Sequence, residues 1–197
     1  MNNLEVQSLS SEHLLHSLPV FMKKIDGLIN ELGIELEHYQ ADHIAIRIND
    51  LQTAKESHQQ WLPLGREWSN AVINGRPIII LGFHTPIKAG KWDIESLELP
   101  YPGEKQYSQQ GWEHIEWVVP STAFTVETFL DDVLTKFPKL EEQWSELEKK
   151  GIKVKLSSPQ GANERLSNPT IAFKKNGVCI KLHPHSLKRV IESEQQS

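Results

Sequence analysis

The clearest indication of the fold comes from one segment, Asp42-His43-Ile44-Ala45-Ile46-Arg47-Ile48. Its isoleucines fall at every second position, which predicts a β-strand with one buried face. The same order of an acidic residue, His and Ile opens a second stretch, Glu113-His114-Ile115-Glu116-Trp117-Val118-Val119, again with alternating apolar residues. We interpret the two stretches as the matching first strands of two related halves.

The elements that follow each of these strands have the same order. In the first half we predict a helix at 51–62, two strands that flank Asn74-Gly75, and a last strand at 92–99. In the second half we predict helices at 123–137 and 139–150, and strands at 152–156, 170–174 and 178–183. The Asn-Gly pairs at 74–75 and 176–177 are typical of type I′ hairpin turns. The repeated order predicts a degenerate duplication.

Prolines and a glycine interrupt both patterns at the start of segment 100–110, which makes this segment the best linker candidate. We therefore place the first module at 41–99 and the second at 111–185, and expect the two to form one domain. Residues 186–197 are expected to form a short helix and a tail.

The N-terminal residues 1–40 are predicted to be a helical extension. Within them, residues 10–33 carry apolar side chains at three- and four-residue steps, the spacing of an amphipathic helix. Pro19 is expected to split or bend this helix. We expect its apolar stripe to pack on the two modules, with a homodimer interface as the alternative.

The composition excludes several classes of protein. A net charge of −5 and a pI near 6.0 provide no surplus of basic residues for nucleic acid or an anionic membrane. Cys179 is the only cysteine, which excludes an internal disulfide and a cysteine-based zinc knuckle. We find no signal-peptide pattern and no apolar run long enough to cross a membrane, so we expect a cytoplasmic protein.

Strand alternation also predicts a metal site. His43 and His114 occupy matching strand positions, and Glu98 lies near the end of the strand at 92–99. Imidazole nitrogen and carboxylate oxygen are the usual ligands of zinc, iron(II), manganese and nickel, and two histidines with one carboxylate leave positions open for a substrate. His183 is a candidate fourth ligand and Lys181 is its rival. The alternative for each histidine is an ordinary hydrogen-bonded strand residue.

Other side chains on these strands have candidate roles in binding or catalysis. Glu116 shares a face with His114 and is the best-placed general base, with a partner to the metal ligands as the alternative. Lys181 would meet an anionic substrate or Glu98 rather than a metal cation. Arg47 and Arg76 are candidates for an anionic substrate group, although arginines more commonly have a surface or structural role.

Several motifs together resemble the bacterial YecM family. They are Ala-Asp-His-Ile-Ala-Ile-Arg (41–47), Glu-Leu-Pro-Tyr-Pro-Gly-Glu-Lys (98–105), Gly-Trp-Glu-His-Ile-Glu (111–116) and Ile-Lys-Leu-His-Pro (180–184). The resemblance extends from about residue 14 to 195 and implies the vicinal oxygen chelate fold. In this α+β fold, two βαβββ modules form a cupped mixed β-sheet with a divalent metal inside.

Glyoxalases, epimerases, extradiol dioxygenases and antibiotic-resistance proteins belong to this superfamily. Its ligand pattern, one residue from the first and last strand of each module, falls on His43, Glu98, His114 and His183. The superfamily's usual last-strand glutamate is replaced here by Lys181 and His183. The resemblance implies a metal-dependent isomerase, lyase or dioxygenase that acts on a small oxygen-bearing substrate. The alternative is a non-catalytic protein that binds or sequesters a small molecule.

Overall fold

The computed structural model describes residues 9–73, 75–158 and 166–195. A long helix comes first and is followed by the elements of the first half. These elements are α1 (Ser11–Leu32), β1 (Gln40–Arg47), α2 (Leu51–Trp61), β2 (Gly65–Ser69), β3 (Val72–Ile73), β4 (Arg76–Ala89) and β5 (Trp92–Pro100), with a short 3₁₀ turn at Leu62–Leu64.

The second half repeats this order with a longer helical connection. Its elements are β6 (Gly111–Val118), α3 (Val126–Lys136), α4 (Pro138–Gln143), β7 (Lys153–Ser157), β8 (Thr170–Lys175), β9 (Val178–His183) and a final helix α5 (Leu187–Gln195), with a 3₁₀ turn at Trp144–Glu146. Between β8 and β9, Asn176 and Gly177 have φ values of 51° and 79°, as a type I′ turn requires. Asn74, in the other predicted turn, lies outside the described residues.

The strands of both halves form one mixed sheet. Within the described residues its order is β2-β4-β5-β1-β6-β9-β8-β7, and β3 pairs with β4 outside this path. In each half the first strand runs parallel to the last, β1 with β5 and β6 with β9, while the other pairs are antiparallel. The halves join where β1 pairs antiparallel with β6. The predicted α+β fold with two βαβββ modules is therefore confirmed.

Local sequence signals explain where the helices begin and end. The Ser10 side chain accepts a hydrogen bond from the His13 backbone N–H at the start of α1, and Asp50 does the same for Thr53 at the start of α2. Helix α1 ends at Gly33, whose φ of 66° is the left-handed conformation that glycine adopts most easily. Pro19 lies inside α1 and does not split it.

Helix α1 packs against the sheet through its apolar stripe. Leu18, Phe21 and Ile25 are among its buried residues, and the Phe21 ring lies 6.2 Å from the ring of Trp112 on β6. The indole N–H of Trp112 donates to the Leu14 carbonyl at 2.8 Å. Within the chain this stripe is therefore part of the core. Among the described helices, none combines the length and apolar character needed to span a membrane.

The two faces of the sheet differ in composition. Ile44 on β1 and Ile115 on β6 face each other across the central strand pair and are completely buried under the helices. The opposite face carries His43, His114 and Lys181, and we call it the site face. Because side chains alternate along a strand, the same sequence that supplies an apolar core also supplies this polar face.

Candidate metal centre

One row of paired residues crosses the site face from edge to edge. Strand register places its members beside one another in the order Arg66, Gly82, Ser96, His43, Glu116, Lys181, Ala172, Lys155. His43 and Glu116 stand at its middle, where the two halves meet. Two residues after His43 on β1, Ala45 pairs with His114 of β6 on one side and with Glu98 of β5 on the other. The three neighbouring strands β5, β1 and β6 therefore gather two histidines and two glutamates from both halves.

These four side chains form a candidate set of metal ligands. One ligand atom each from His43, Glu98, His114 and Glu116 can be chosen so that all lie within 4.8 Å of one another. Oε1 of Glu116 is 3.3 Å from Nε2 of His43 and 3.1 Å from Nε2 of His114. Oε2 of Glu98 lies 3.7 Å from Nε2 of His43. The arrangement presents nitrogen and oxygen atoms at a common centre.

A bulge in β1 explains how His43 is oriented. The register shifts by one residue between Ala41 and His43, so that Asp42 faces no residue of β6. A bulge turns the extra side chain away from strict alternation, and Oδ2 of Asp42 lies 2.9 Å from Nδ1 of His43. Nδ1 is therefore engaged by a carboxylate, and Nε2 is directed toward the centre.

The second histidine is held in the same way. The register shifts again between the partners of Ala45 and Ile46, which leaves Glu113 as the extra residue of β6. Its carboxylate hydrogen-bonds Nδ1 of His114 and lies 3.3 Å from Nη2 of Arg47. Histidines that bind metals commonly have a carboxylate on the other ring nitrogen, which fixes the tautomer and raises the basicity of the ligand atom.

His183 belongs to an adjoining group rather than to the four-residue set. Nε2 of His183 is 3.4 Å from Oδ2 of Asp42, and its Nδ1 lies 3.4 Å from Oε2 of Glu116 and 3.2 Å from the Asn168 amide. The backbone N–H of Leu187, at the start of α5, donates to Oδ2 of Asp42 at 2.9 Å. His183 therefore adjoins the centre and connects it to the beginning of the last helix.

Lys181 occupies a position beside the candidate ligands. Its Nζ donates to Oε1 of Glu116 at 2.6 Å and lies 3.0 Å from Nε2 of His114. Burial disfavours the ammonium ion, but the carboxylates of Glu116 and Glu98 outweigh this effect and raise the pKa of Lys181. The side chain of Lys181 is 23% exposed, more than those of His43, His114 and Glu116.

The electrostatics of the buried groups are strongly coupled. Burial opposes the charged imidazole of His43, yet the Glu116 carboxylate and the hydrogen bond with Asp42 raise its pKa to about 10. Burial also favours a neutral Glu116, but Lys181 and His43 hold the pKa of this carboxyl well below its usual range. The pKa of Glu98 is lowered against its burial by His114, Lys181 and His43. The carboxylates therefore remain ionised.

The donor set fits a divalent cation. Nε2 of His43 is buried, and although Glu116 lies close, it has no partner with hydrogen-bond geometry among the described residues. The buried cluster carries four carboxylates and two permanent cations, which are Asp42, Glu98, Glu113 and Glu116 against Arg47 and Lys181. With the histidines neutral, as metal-binding imidazoles are, the two negative charges left over equal the charge that one divalent cation would neutralise.

Of the two arginines predicted to bind an anionic substrate group, one lies at the candidate metal centre. Arg47 lies at the centre, where its Nη1 is 3.4 Å from Oε1 of Glu98. Arg76 lies in the β3–β4 hairpin and donates to the Tyr101 carbonyl at 3.3 Å. Asp42 and Glu113 were not predicted from the alternation pattern, although an acidic residue precedes the histidine in both first strands and could have indicated them.

Two βαβββ modules joined through their first strands, with histidines and glutamates gathered on the shared face, define a protein of the vicinal oxygen chelate fold. Within that fold, the chain belongs to the YecM family, whose model, described as "YecM protein", matches residues 10–194. Both the fold and the family expected from the sequence motifs are thereby confirmed.

The chain is similar to two curated proteins over nearly its whole length. "Protein YecM" of Escherichia coli (strain K12) is 36% identical over 197 residues, covering 98% of this chain and 96% of that protein. An uncharacterized protein of Haemophilus influenzae is 34% identical and covers 97% of each chain. A solved structure described as "Structural Genomics, Protein EC4020" has a TM-score of 0.79 and 34% identity, and the alignment covers 99% of this chain and 98% of that one.

Proposed function

We propose that this protein binds one divalent metal ion through His43, Glu98, His114 and Glu116, and uses it to chelate a small oxygen-bearing molecule. The observation that carries the proposal is the convergence of these ligand atoms within 4.8 Å, with Nε2 of both histidines directed inward. Asp42 and Glu113 hold the opposite ring nitrogens. An ordinary hydrogen-bonded strand histidine would have a well-aligned partner on each ring nitrogen, whereas Nε2 of His43 has none among the described residues.

The ligand types narrow the choice of metal. Two imidazoles and two carboxylates suit zinc, iron(II), manganese and nickel. Four protein ligands complete a tetrahedral zinc site, whereas a metal that accepts six ligands retains positions for two neighbouring oxygen atoms of a substrate. A bound ion of this kind would polarise those oxygens as a Lewis acid. We therefore favour iron(II), manganese or nickel over zinc.

The role of Glu116 follows from its charge environment. A general base works best when its pKa lies near the operating pH, whereas Lys181 and His43 hold the pKa of Glu116 far below that range despite its burial. Its oxygen is a better metal ligand than proton acceptor. This observation also favours the second candidate function, a protein that binds a small molecule without converting it.

Metal analysis tests the proposal. Protein stripped with a chelator and reloaded separately with each of the four metals is expected to retain about one equivalent of at least one of them. His43→Ala and His114→Ala are expected to retain below roughly a tenth of an equivalent while keeping a wild-type circular dichroism spectrum. His58→Gln is the matched control, since His58 is a buried histidine whose Nε2 lies 3.0 Å from Glu67 outside the centre.

Two results would overturn the metal proposal. The first is wild-type protein that retains less than about a tenth of an equivalent of every metal supplied. The second is uptake by His43→Ala or His114→Ala that equals uptake by wild type. Native mass spectrometry separates the two candidate functions, because a small molecule retained intact by the metal-loaded protein supports binding without turnover.

A further inference from the structure

A group of lysines lies on the site face beyond Lys181, toward the β7 edge of the sheet. Register places Lys153 and Lys155 of β7 and Lys174 of β8 on the same face as Lys181 of β9. All three are exposed, and we call them the lysine patch. None of the metal ligands proposed above belongs to it.

The charges of the lysine patch are arranged unfavourably. Lys153 stands directly opposite Lys174 in the antiparallel pair, and like charges in that position repel. The charge of Lys174 is weakly compensated by Glu113, whose Oε1 lies 3.7 Å from the lysine Nζ. Lys153 and Lys155 form no ion pair with any residue in the described part of the chain. An anion bound among these lysines would remove the repulsion.

Protection of a sheet edge explains only part of the patch. Strand β7 is the edge strand, and lysines on an edge hinder association with other strands. Lys174 and Lys181, however, lie on β8 and β9, each of which is paired on both sides. Positive charge thus continues inward from the edge to the candidate metal centre, where no edge needs protection.

Ala172 provides a place for the anion. It lies between Lys155 and Lys181 in the row across the sheet, and Lys174 is two residues further along the same strand and face. The backbones of Lys155 and Lys181 are two strand spacings apart, about 10 Å. The side chain of Ala172 is small and only partly buried, so it fills little of the surface between these two lysines.

We propose that the lysine patch and Lys181 bind the phosphoryl group of a small molecule above Ala172, while other oxygen atoms of that molecule face the candidate metal centre. Several ammonium ions close together suit a phosphoryl group better than a single carboxylate, because its charge of about −1.5 to −2 offsets more of their mutual repulsion. Lys181 joins the two subsites, because its Nζ also contacts Glu116. The assignment as a substrate subsite rests on the function proposed above.

Titration of inorganic phosphate into chelator-treated, metal-free protein tests the inference. At constant ionic strength in chloride, phosphate is expected to bind saturably and to raise the unfolding temperature. Lys155→Gln and Lys174→Gln are each expected to weaken phosphate binding by roughly threefold to tenfold. Ala172→Asp, which places a carboxylate among the lysines, is expected to abolish it. Lys88→Gln is the control, because Lys88 is an exposed strand lysine paired with Asp93 elsewhere.

Several outcomes would overturn the inference. One is a phosphate affinity that is the same in Lys155→Gln, Lys174→Gln and wild type, and another is acetate binding as tightly as phosphate. Aggregation of Lys155→Gln with unchanged phosphate affinity would assign the patch to edge protection alone. Metal uptake is measured separately, so loss of phosphate binding with intact metal uptake rejects only this inference, and the reverse result rejects only the metal proposal.

Discussion

Asp42 and Glu113 occupy equivalent places in the two halves of the molecule: each is the residue that a strand bulge leaves unpaired, and each carboxylate engages Nδ1 of the histidine that follows it. Since both carboxylates engage Nδ1, both histidines present Nε2 to the same centre. The bulges therefore determine which ring nitrogens can serve as ligands.

Removing either carboxylate charge should weaken metal binding without removing a ligand. Asp42→Asn and Glu113→Gln are each expected to lower metal affinity by about 10-fold to 100-fold, the usual effect of losing a partner that orients a metal-binding histidine. Competition with a chelating dye measures this affinity. Glu67→Gln, which alters a carboxylate beside His58, should leave it unchanged. A change below about twofold in both site variants would contradict the assigned role of the bulges.

The metal-free protein should lose stability as the pH rises, because of His43. The pKa of this buried imidazole is raised from an ordinary value of 6.5 to about 10, against the effect of burial, by Glu116 and Asp42. The folded protein therefore holds a proton that the unfolded chain releases above pH 6.5. The stabilisation is complete below pH 6.5 and is lost progressively toward pH 10, with a slope of up to about 1.4 kcal/mol per pH unit.

Urea denaturation of chelator-treated protein at several pH values between 6 and 10 measures this slope. In His43→Gln, the slope of unfolding free energy against pH should be shallower by up to about 1.4 kcal/mol per pH unit, the contribution of one proton. The glutamine side chain does not titrate. His16→Gln, which alters an exposed histidine on α1, should keep the wild-type slope. Identical slopes in wild type and His43→Gln would show that His43 is not protonated in the folded protein.

The face of each strand could be predicted from the sequence, whereas the partners across strands could not. Alternation places His43 and His114 on the face opposite the isoleucines, and the register confirms this. Strict alternation, however, assigns Asp42 and Glu113 to the helix face, and the two bulges bring them to the histidines instead. A bulge leaves no distinct pattern in a seven-residue strand, so these two residues were missed.

The position of Glu116 in the ligand set depends on register as well. The sequence indicated that Glu116 and His183 share the site face, but it did not indicate which of them stands closer to His43. Antiparallel pairing places Glu116 directly opposite His43, while parallel pairing places Lys181 beside Glu116. Lys153 and Lys174 likewise face each other only because of the β7–β8 register. Such pairings are decided by long-range contacts.

Close packing between Trp68 and Gly82 should make substitution of this glycine destabilising. A Cβ atom built on Gly82 would lie 1.8 Å from the Trp68 ring. On the same ring, Nζ of Lys188 from α5 lies 5.5 Å from the centroid. Gly82→Ala is expected to cost about 1–3 kcal/mol of unfolding free energy through overpacking. Gly27→Ala, at a helical position with nothing within 4 Å, should instead stabilise the protein by about 0.5–1 kcal/mol.

A double-mutant cycle separates overpacking from other effects of the Gly82 substitution. If the clash with the indole ring is the cause, Gly82→Ala should cost much less in a Trp68→Ala background than in wild type. Urea denaturation of the four proteins gives the interaction energy. Equal costs in both backgrounds would assign the effect to the backbone of β4 rather than to Trp68.

Lys181 should oppose metal binding while stabilising the metal-free protein. Its Nζ donates to Oε1 of Glu116 at 2.6 Å and lies 3.0 Å from Nε2 of His114, two atoms that the metal would need. Lys181→Met removes this cation at similar volume. We expect metal affinity to rise by about tenfold or more, since one positive charge less remains beside the ion.

The same substitution is expected to lower the unfolding free energy of the metal-free protein by about 2–4 kcal/mol, because it leaves a buried carboxylate without its partner. Lys175→Met is the matched control, since Lys175 is a partly buried lysine paired with Glu31 away from the centre. It should destabilise the protein without changing metal affinity. Weaker metal binding by Lys181→Met would mean that the lysine supports the centre rather than competing with the ion.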